Sequence, residues 1–114
     1  MNRAGEFKLN YQVLIENKKI DENTFRIYNK IMRRWTPLII MNIGDGRSFN
    51  EIKKLLKINQ TTLSEYLSSL ENYNIIERVI IPSRPVHVKY RLTEKGKKLL
   101  ELIYGLFDLM ENDQ

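Results

Sequence analysis

Apolar residues recur along this chain with two different periods. From Asp21 to Arg33 the positions Phe25, Tyr28, Ile31 and Met32 fall on one helical face, behind an acidic start. The segment "WTPLIIMNIGDG" (35–46) is apolar through Leu38–Met41, which by itself suits a buried strand or a buried helix. Thr36 before Pro37 favours the helix, because a hydroxyl caps free N–H groups and proline suits the first helical position. Gly44 and Gly46 then stop it. "SFNE" (48–51) has the capping-box spacing, with Phe49, Ile52, Leu55 and Leu56 as the inward stripe of the next helix. "KINQ" (57–60) predicts a short turn with Ile58 as a buried plug. A further helix is expected from about Thr61 to Tyr73, with Leu63, Leu67 and Leu70 inward.

Beyond Tyr73 the period falls to two. Ile75–Ile81 is β-branched and strand-like. Pro82–Pro85 form a tip, since proline donates no ladder hydrogen bond. In the return strand Val86, Val88, Tyr90 and Leu92 lie on one face, and His87, Lys89 and Arg91 on the other. The first face wants a core, the second water or an anion. Thr93 and Glu94 open a last helix running towards Asn112. Residues 1–20 fit a strand or a helix, and the longer alternation Phe7, Leu9, Tyr11, Val13, Ile15 favours an N-terminal arm or strand.

The predicted fold class is α+β and mostly helical. It is a winged helix-turn-helix with a two-stranded wing and a long C-terminal dimerisation helix, over 21–114, preceded by the arm at 1–20. One domain suits the 114 residues.

Composition narrows the function. There is no cysteine and one histidine, so disulfides and thiolate sites are excluded and no metal-ligand cluster has suitable spacing. No nucleophile–base pair and no glycine-rich phosphate loop are present, which argues against an enzyme and against a cofactor. No run approaches the ~18 apolar residues of a membrane span, and no signal-peptide pattern opens the chain. The expectation is a soluble cytoplasmic protein without a membrane partner. The formal charge of +5 and pI of about 9.5 suit a polyanion.

Placed on the predicted elements, the charge gains direction. Burying Leu63, Leu67 and Leu70 turns Thr61, Glu65, Ser68 and Asn72 outward. Thr61, Thr62, Ser64, Ser68 and Ser69 are poor helix formers with little reason to sit on an idle surface, where lysine and glutamate would serve better. Asn59, Gln60, Thr61, Thr62, Glu65 and Ser68 are therefore the candidate base readers for a major groove. Arg47, Lys53, Lys54, Ser64, Arg84, His87, Lys89 and Arg91 are the candidate backbone contacts. Glu65 is repelled by phosphate but accepts from a cytosine amino group. The last helix is apolar over about half its circumference, more than one core requires. Leu99, Leu102, Ile103, Leu106, Phe107 and Met110 are the candidate interface of a homodimer. The expected partners are double-stranded DNA and a second copy of the chain, read through a pseudo-palindromic site. The alternative is a winged helix that contacts protein inside a transcription complex, which Glu65 and the neutral helix face would suit.

"RWTPLIIMNIGDGRSFNEI", "TTLSEYLSSLE" and "IIERVIIPSRPVHVKYRLTEKGKKL" together resemble the HxlR-type winged-helix transcription regulators of the broad MarR-like group, over residues 30–102. The resemblance implies a dimeric DNA-binding regulator that reads through the helix from Thr61 and the wing around Arg84. Members of that family usually carry arginine or lysine near the positions of Thr61, Glu65 and Tyr66. This chain has none there, which shifts weight to the wing. Many members sense oxidants through an N-terminal cysteine, a mode this chain lacks.

Overall fold

In the computed structural model, residues 20–112 are described. The expectation for residues 1–20 falls, except for its last residue, outside them. The chain divides into two compact units at the junction of Met32 and Arg33. In the first, helix α1 spans Glu22–Ile31. The Asp21 carboxylate caps it by accepting from the Thr24 N–H at 2.7 Å, which holds that carboxyl below its ordinary pKa. The Phe25 and Tyr28 rings meet at 5.6 Å.

The second unit begins with α2, Thr36–Ile43. Its start differs from the expectation in detail. Trp35 already has helical dihedrals and the Thr36 N–H bonds to the Arg33 carbonyl. Thr36 is therefore inside the helix, and its buried hydroxyl accepts from the Arg33 N–H at 3.3 Å instead of capping forward. Ile39, Ile40 and Ile43 are fully buried, while Leu38 is exposed. Gly44 ends the helix at φ +56°, ψ −140°, a region that only glycine enters readily.

Helix α3, Phe49–Leu56, carries the complete capping box. The Glu51 N–H donates to Ser48 Oγ at 3.1 Å, and the Ser48 N–H to Glu51 Oε1 at 2.9 Å. Ile52 is its fully buried residue, Phe49 and Leu56 are half-buried, and Leu55 is exposed, so the stripe is narrower than its sequence suggests. Lys57 closes α3 in the left-handed region, and Ile58 is buried as the plug of the turn.

Helix α4, Gln60–Asn72, buries Leu63, Tyr66, Leu67 and Leu70. It ends in a Schellman motif. Asn74 is left-handed at φ 60°, its N–H bonds to the Glu71 carbonyl, and the Ile75 N–H bonds to the Leu70 carbonyl. That reversal feeds β1, Ile76–Ile81, which pairs antiparallel with β2, His87–Leu92, from Ile76 opposite Leu92 to Ile81 opposite His87. Arg47 adds a single bridge to Tyr90 through two backbone bonds of 3.0 and 2.7 Å, anchoring the α2–α3 loop to the ribbon.

Helix α5 spans Glu94–Asn112. Thr93 caps it through the Gly96 N–H and donates to the Asn74 carbonyl at 2.5 Å, locking the helix start onto the turn after α4. Gly96 is buried there, and a Cβ on it would collide with the Ile75 carbonyl oxygen. Helix α2 is central, lying against α3, α5 and β2. The order of helix, helix, turn, helix, two-stranded ribbon and long helix is a winged helix-turn-helix, α+β and mostly helical.

Candidate nucleic-acid interface

Helix α4 is pinned along its inner side. Tyr66, which the leucine spacing alone does not mark as inward, is buried: its hydroxyl accepts from the Trp35 N–H at 3.3 Å, and the Arg33 guanidinium lies 4.5 Å from its ring centre. With Leu63, Tyr66, Leu67 and Leu70 inside, Thr61, Ser64, Glu65 and Ser68 are exposed and Thr62 is half-buried. The outward side is therefore short, polar and free of large apolar groups.

The first turn of α4 is more committed than its sequence indicates. Asn59 is the N-cap, its Oδ1 accepting from the Thr61 and Thr62 N–H groups at 2.8 and 3.2 Å. That oxygen builds the helix start, and the Asn59 amide N–H₂ is the group left to face outward. Gln60 is the first helical residue and is exposed. Lys53 of α3 reaches its Oε1 at 3.5 Å, bringing a cation to the first turn of α4. Lys54 is exposed beside it on the same helix.

The ribbon keeps the predicted alternation but not the predicted burial. Val88, Tyr90 and Leu92 share a face with Ile80, Arg78 and Ile76; His87, Lys89 and Arg91 share the other with Ile81, Val79 and Glu77. Only the base of the apolar face, Ile76 and Leu92, is buried, with Tyr90 half-buried. Val86 and Val88 are exposed, because the ribbon extends past the end of the helices that cover its base. On the other face the cations differ in freedom. Arg91 Nε donates to Glu77 Oε1 at 2.6 Å. Lys89 is half-buried with its stem over Gly46, and with Arg47 it borders a cleft of about 560 Å³. His87 and Arg84 are exposed at the outer end, where Ser83 Oγ donates to the Pro85 carbonyl at 2.7 Å.

The Glu51 carboxyl is held below its ordinary pKa, chiefly by the Ser48 backbone N–H, then by the Ser48 hydroxyl, and more weakly by Lys89 and Arg47. The same two cations therefore frame α3, the loop before it and the wing. Among the described residues no group of His, Asp and Glu is placed to hold a metal ion, and no helix is long and apolar enough to cross a membrane.

Of the residues expected to serve a second copy, Ile103 is buried within the chain itself and has no surface to give a partner. Leu99 is half-buried. Leu102, Leu106, Phe107 and Met110 are exposed, as are Leu109 and Tyr104 on the same helix.

Residues 30–113 match the family described as HxlR-like helix-turn-helix. The HTH-type transcriptional regulator YodB of Bacillus subtilis (strain 168) is 42% identical over 80 residues, which cover 68% of this chain and 69% of that protein. An uncharacterized HTH-type transcriptional regulator of Methanothermobacter thermautotrophicus is 36% identical over 80 residues; the match covers 68% of this chain but only 61% of the relative's length. Among solved structures, the reduced form of the transcriptional regulator YodB superposes with a TM-score of 0.68 at 33% identity, covering 78% of this chain and 89% of that one. The diamide-treated form gives 0.69 at 31% identity over 82% and 94%.

Proposed function

The chain belongs to the HxlR-like helix-turn-helix family, and from that premise we propose that it is a sequence-specific regulator of transcription that binds double-stranded DNA as a homodimer. One observation carries the reading. Helix α4 buries every large apolar residue it has and exposes Thr61, Ser64, Glu65 and Ser68, while the adjoining ribbon ends in an exposed Arg84 and His87. A B-form major groove admits one helix and presents donors and acceptors to such side chains. Gln60, Thr61, Thr62, Glu65, Ser68 and the Asn59 amide are the base-reading set. Arg47, Lys53, Lys54, Ser64, Lys89, His87 and Arg84 hold the backbone on either side, and Arg91 contributes less because Glu77 already pairs with it. The recognition helix contains no lysine or arginine, so the flanks supply the salt-dependent part of the affinity.

The exposed row on α5 supplies the second copy. Leu102, Leu106, Phe107, Leu109 and Met110 form an apolar face too large to leave in water at ease. A two-fold pair built there presents two α4 helices to half-sites about one helical turn apart.

The test is selection from a random duplex library with the purified chain. Enrichment of a two-fold symmetric motif is expected. Arg84→Ala should keep the motif and weaken binding, and Arg91→Ala should do so less. Failure to enrich any motif, with binding insensitive to salt, would instead favour a protein-contact role for the neutral face around Glu65.

A further inference from the structure

Arg33 is an exposed cation that its own neighbours hold in one place. Its N–H donates to the Thr36 hydroxyl at 3.3 Å, and its carbonyl accepts from the Thr36 N–H at 3.1 Å. Its guanidinium lies 4.5 Å from the centre of the Tyr66 ring. Both anchors are fixed, since Thr36 is fully buried and Tyr66 is 5% exposed. Among the described residues no carboxylate forms an ion pair with Arg33. An aromatic face attracts the cation without accepting its N–H donors as an oxygen would, so an anion can still take them.

Tyr66 sets Arg33 on one shoulder of α4. Thr62, four residues earlier, and Ser69, three later, share that shoulder, and both are half-buried at the border of the polar side. The ribbon meets α4 on the other shoulder. Its Arg78 holds Glu71, five residues past Tyr66 and so about 140° around the helix. The shorter arc between Tyr66 and Glu71 is the core side with Leu63, Leu67 and Leu70. The longer arc is the exposed row of Thr61, Glu65 and Ser68. Arg33 and the ribbon therefore flank that row from opposite sides.

A helix seated in a major groove about 12 Å wide has a row of phosphates along each edge. The ribbon brings its cations to one edge, and α4 has no lysine or arginine of its own for the other. Resting on the DNA-binding reading above, we infer that the Arg33 guanidinium, held on Tyr66, binds a phosphate at the edge of the major groove away from the wing. The two edges are then gripped by different elements, the wing on one side and the start of α2 on the other. Because Arg33 is ordered before DNA arrives, little side-chain freedom is lost on binding. A phosphate contact at this point fixes how α4 is rotated in the groove and carries no base preference of its own.

Ethylation interference on the selected duplex locates the phosphates that matter, and a potassium chloride series counts them. Both use the full chain, as the parent, as Arg33→Met and as Arg33→Gln, with Arg84→Ala marking the wing side. Arg33 is exposed, methionine keeps an apolar stem on Tyr66, and circular dichroism checks the fold of each variant. In the parent, ethylation should interfere at both edges of the major groove. In the Arg33 variants the interference at the edge away from the wing should disappear, and that at the phosphates assigned by Arg84→Ala should remain. The slope of log K against log salt should fall by about one, with the selected motif unchanged. Arg33→Lys, which keeps the charge, should restore most of the slope. An unchanged slope with an unchanged interference pattern overturns the inference and leaves Arg33 as a structural clamp on Tyr66. So does a parent whose interference is confined to the wing side, whatever the variants do. A parent that binds no duplex removes the DNA reading and this inference together.

Discussion

Arg78 of β1 donates from Nε to Oε2 of Glu71 in the last turn of α4 at 3.1 Å, so one ion pair ties the ribbon to that helix. Both side chains remain partly exposed, at 58% and 35%, which limits what the pair adds to stability. A double-mutant cycle with Glu71→Gln and Arg78→Gln, read by urea unfolding, is expected to give a coupling below about 1 kcal/mol. The coupling should shrink further in 1 M salt, where the Debye length is only about 3 Å.

Two glycines of α5 respond to alanine in opposite directions. At Gly96 a methyl group would strike the Ile75 carbonyl and approach Leu92 Cδ2 to 3.2 Å. Gly96→Ala should destabilise the protein by about 1–3 kcal/mol, because backbone cannot move aside as a flexible side chain can. At Gly105 nothing lies within 4 Å. Gly105→Ala should stabilise it by about 0.5–1 kcal/mol through helix propensity. Denaturation midpoints at one protein concentration check both signs.

Lys57 ends α3 at φ 53°, a conformation that strains any residue with a Cβ. Lys57→Gly should raise the unfolding free energy by up to about 1 kcal/mol. Asn74→Gly, at φ 60°, should gain less, since asparagine tolerates the left-handed region. Equal gains at the two positions would mean that strain at Lys57 is relieved in some other way.

The capping box makes stability depend on acid. Glu51 has a lowered folded pKa, so its contribution is complete above the unfolded pKa of a glutamate and is lost as the pH falls through the lowered folded value. Glu51→Gln should flatten this part of the stability profile on the acid side and leave the neutral-to-alkaline limb parallel to the parent. Ser48→Ala should reduce the same acid dependence only in part, because it removes the hydroxyl bond and leaves the leading one, from the backbone N–H of residue 48. Urea unfolding at pH steps down from neutral measures this.

The apolar row on α5 predicts an oligomer whose loss does not unfold the chain. Leu102 and Leu109 are 72% and 62% exposed within the single chain. Leu102→Glu with Leu109→Glu should convert a dimer to a monomer in equilibrium sedimentation and leave helical circular dichroism unchanged. Affinity for a two-half-site duplex should fall steeply, and affinity for one half-site much less, because only the two-site complex uses linked binding.

The readable parts of this protein are those held by partners close in sequence. Ser48 and Glu51 stand three residues apart, and the box they form follows from that spacing alone. Ile58 between two amphipathic helices, and the switch from a period near 3.6 to one of two after Tyr73, place the turn and the wing in the same way. The polar outer side of α4 follows from where its leucines fall.

Other features needed the fold. Tyr66 is inward because Trp35 and Arg33, some thirty positions earlier, come to lie on it. Arg91 looks free in the sequence, but the strand register sets Glu77 opposite it. Val88 and Leu92 occupy equivalent places in one alternating pattern, and only the reach of the helices over the ribbon decides that Leu92 is covered and Val88 is not. Ile103 and Leu102 are neighbours on one apolar helix, and the first is spent within the chain while the second is left over. Local hydrogen bonds and apolar periodicity act over a few residues, so the sequence determined the elements and their order. Which surfaces meet depends on packing between distant segments, so the tertiary structure alone decided which apolar and cationic side chains remained for a partner.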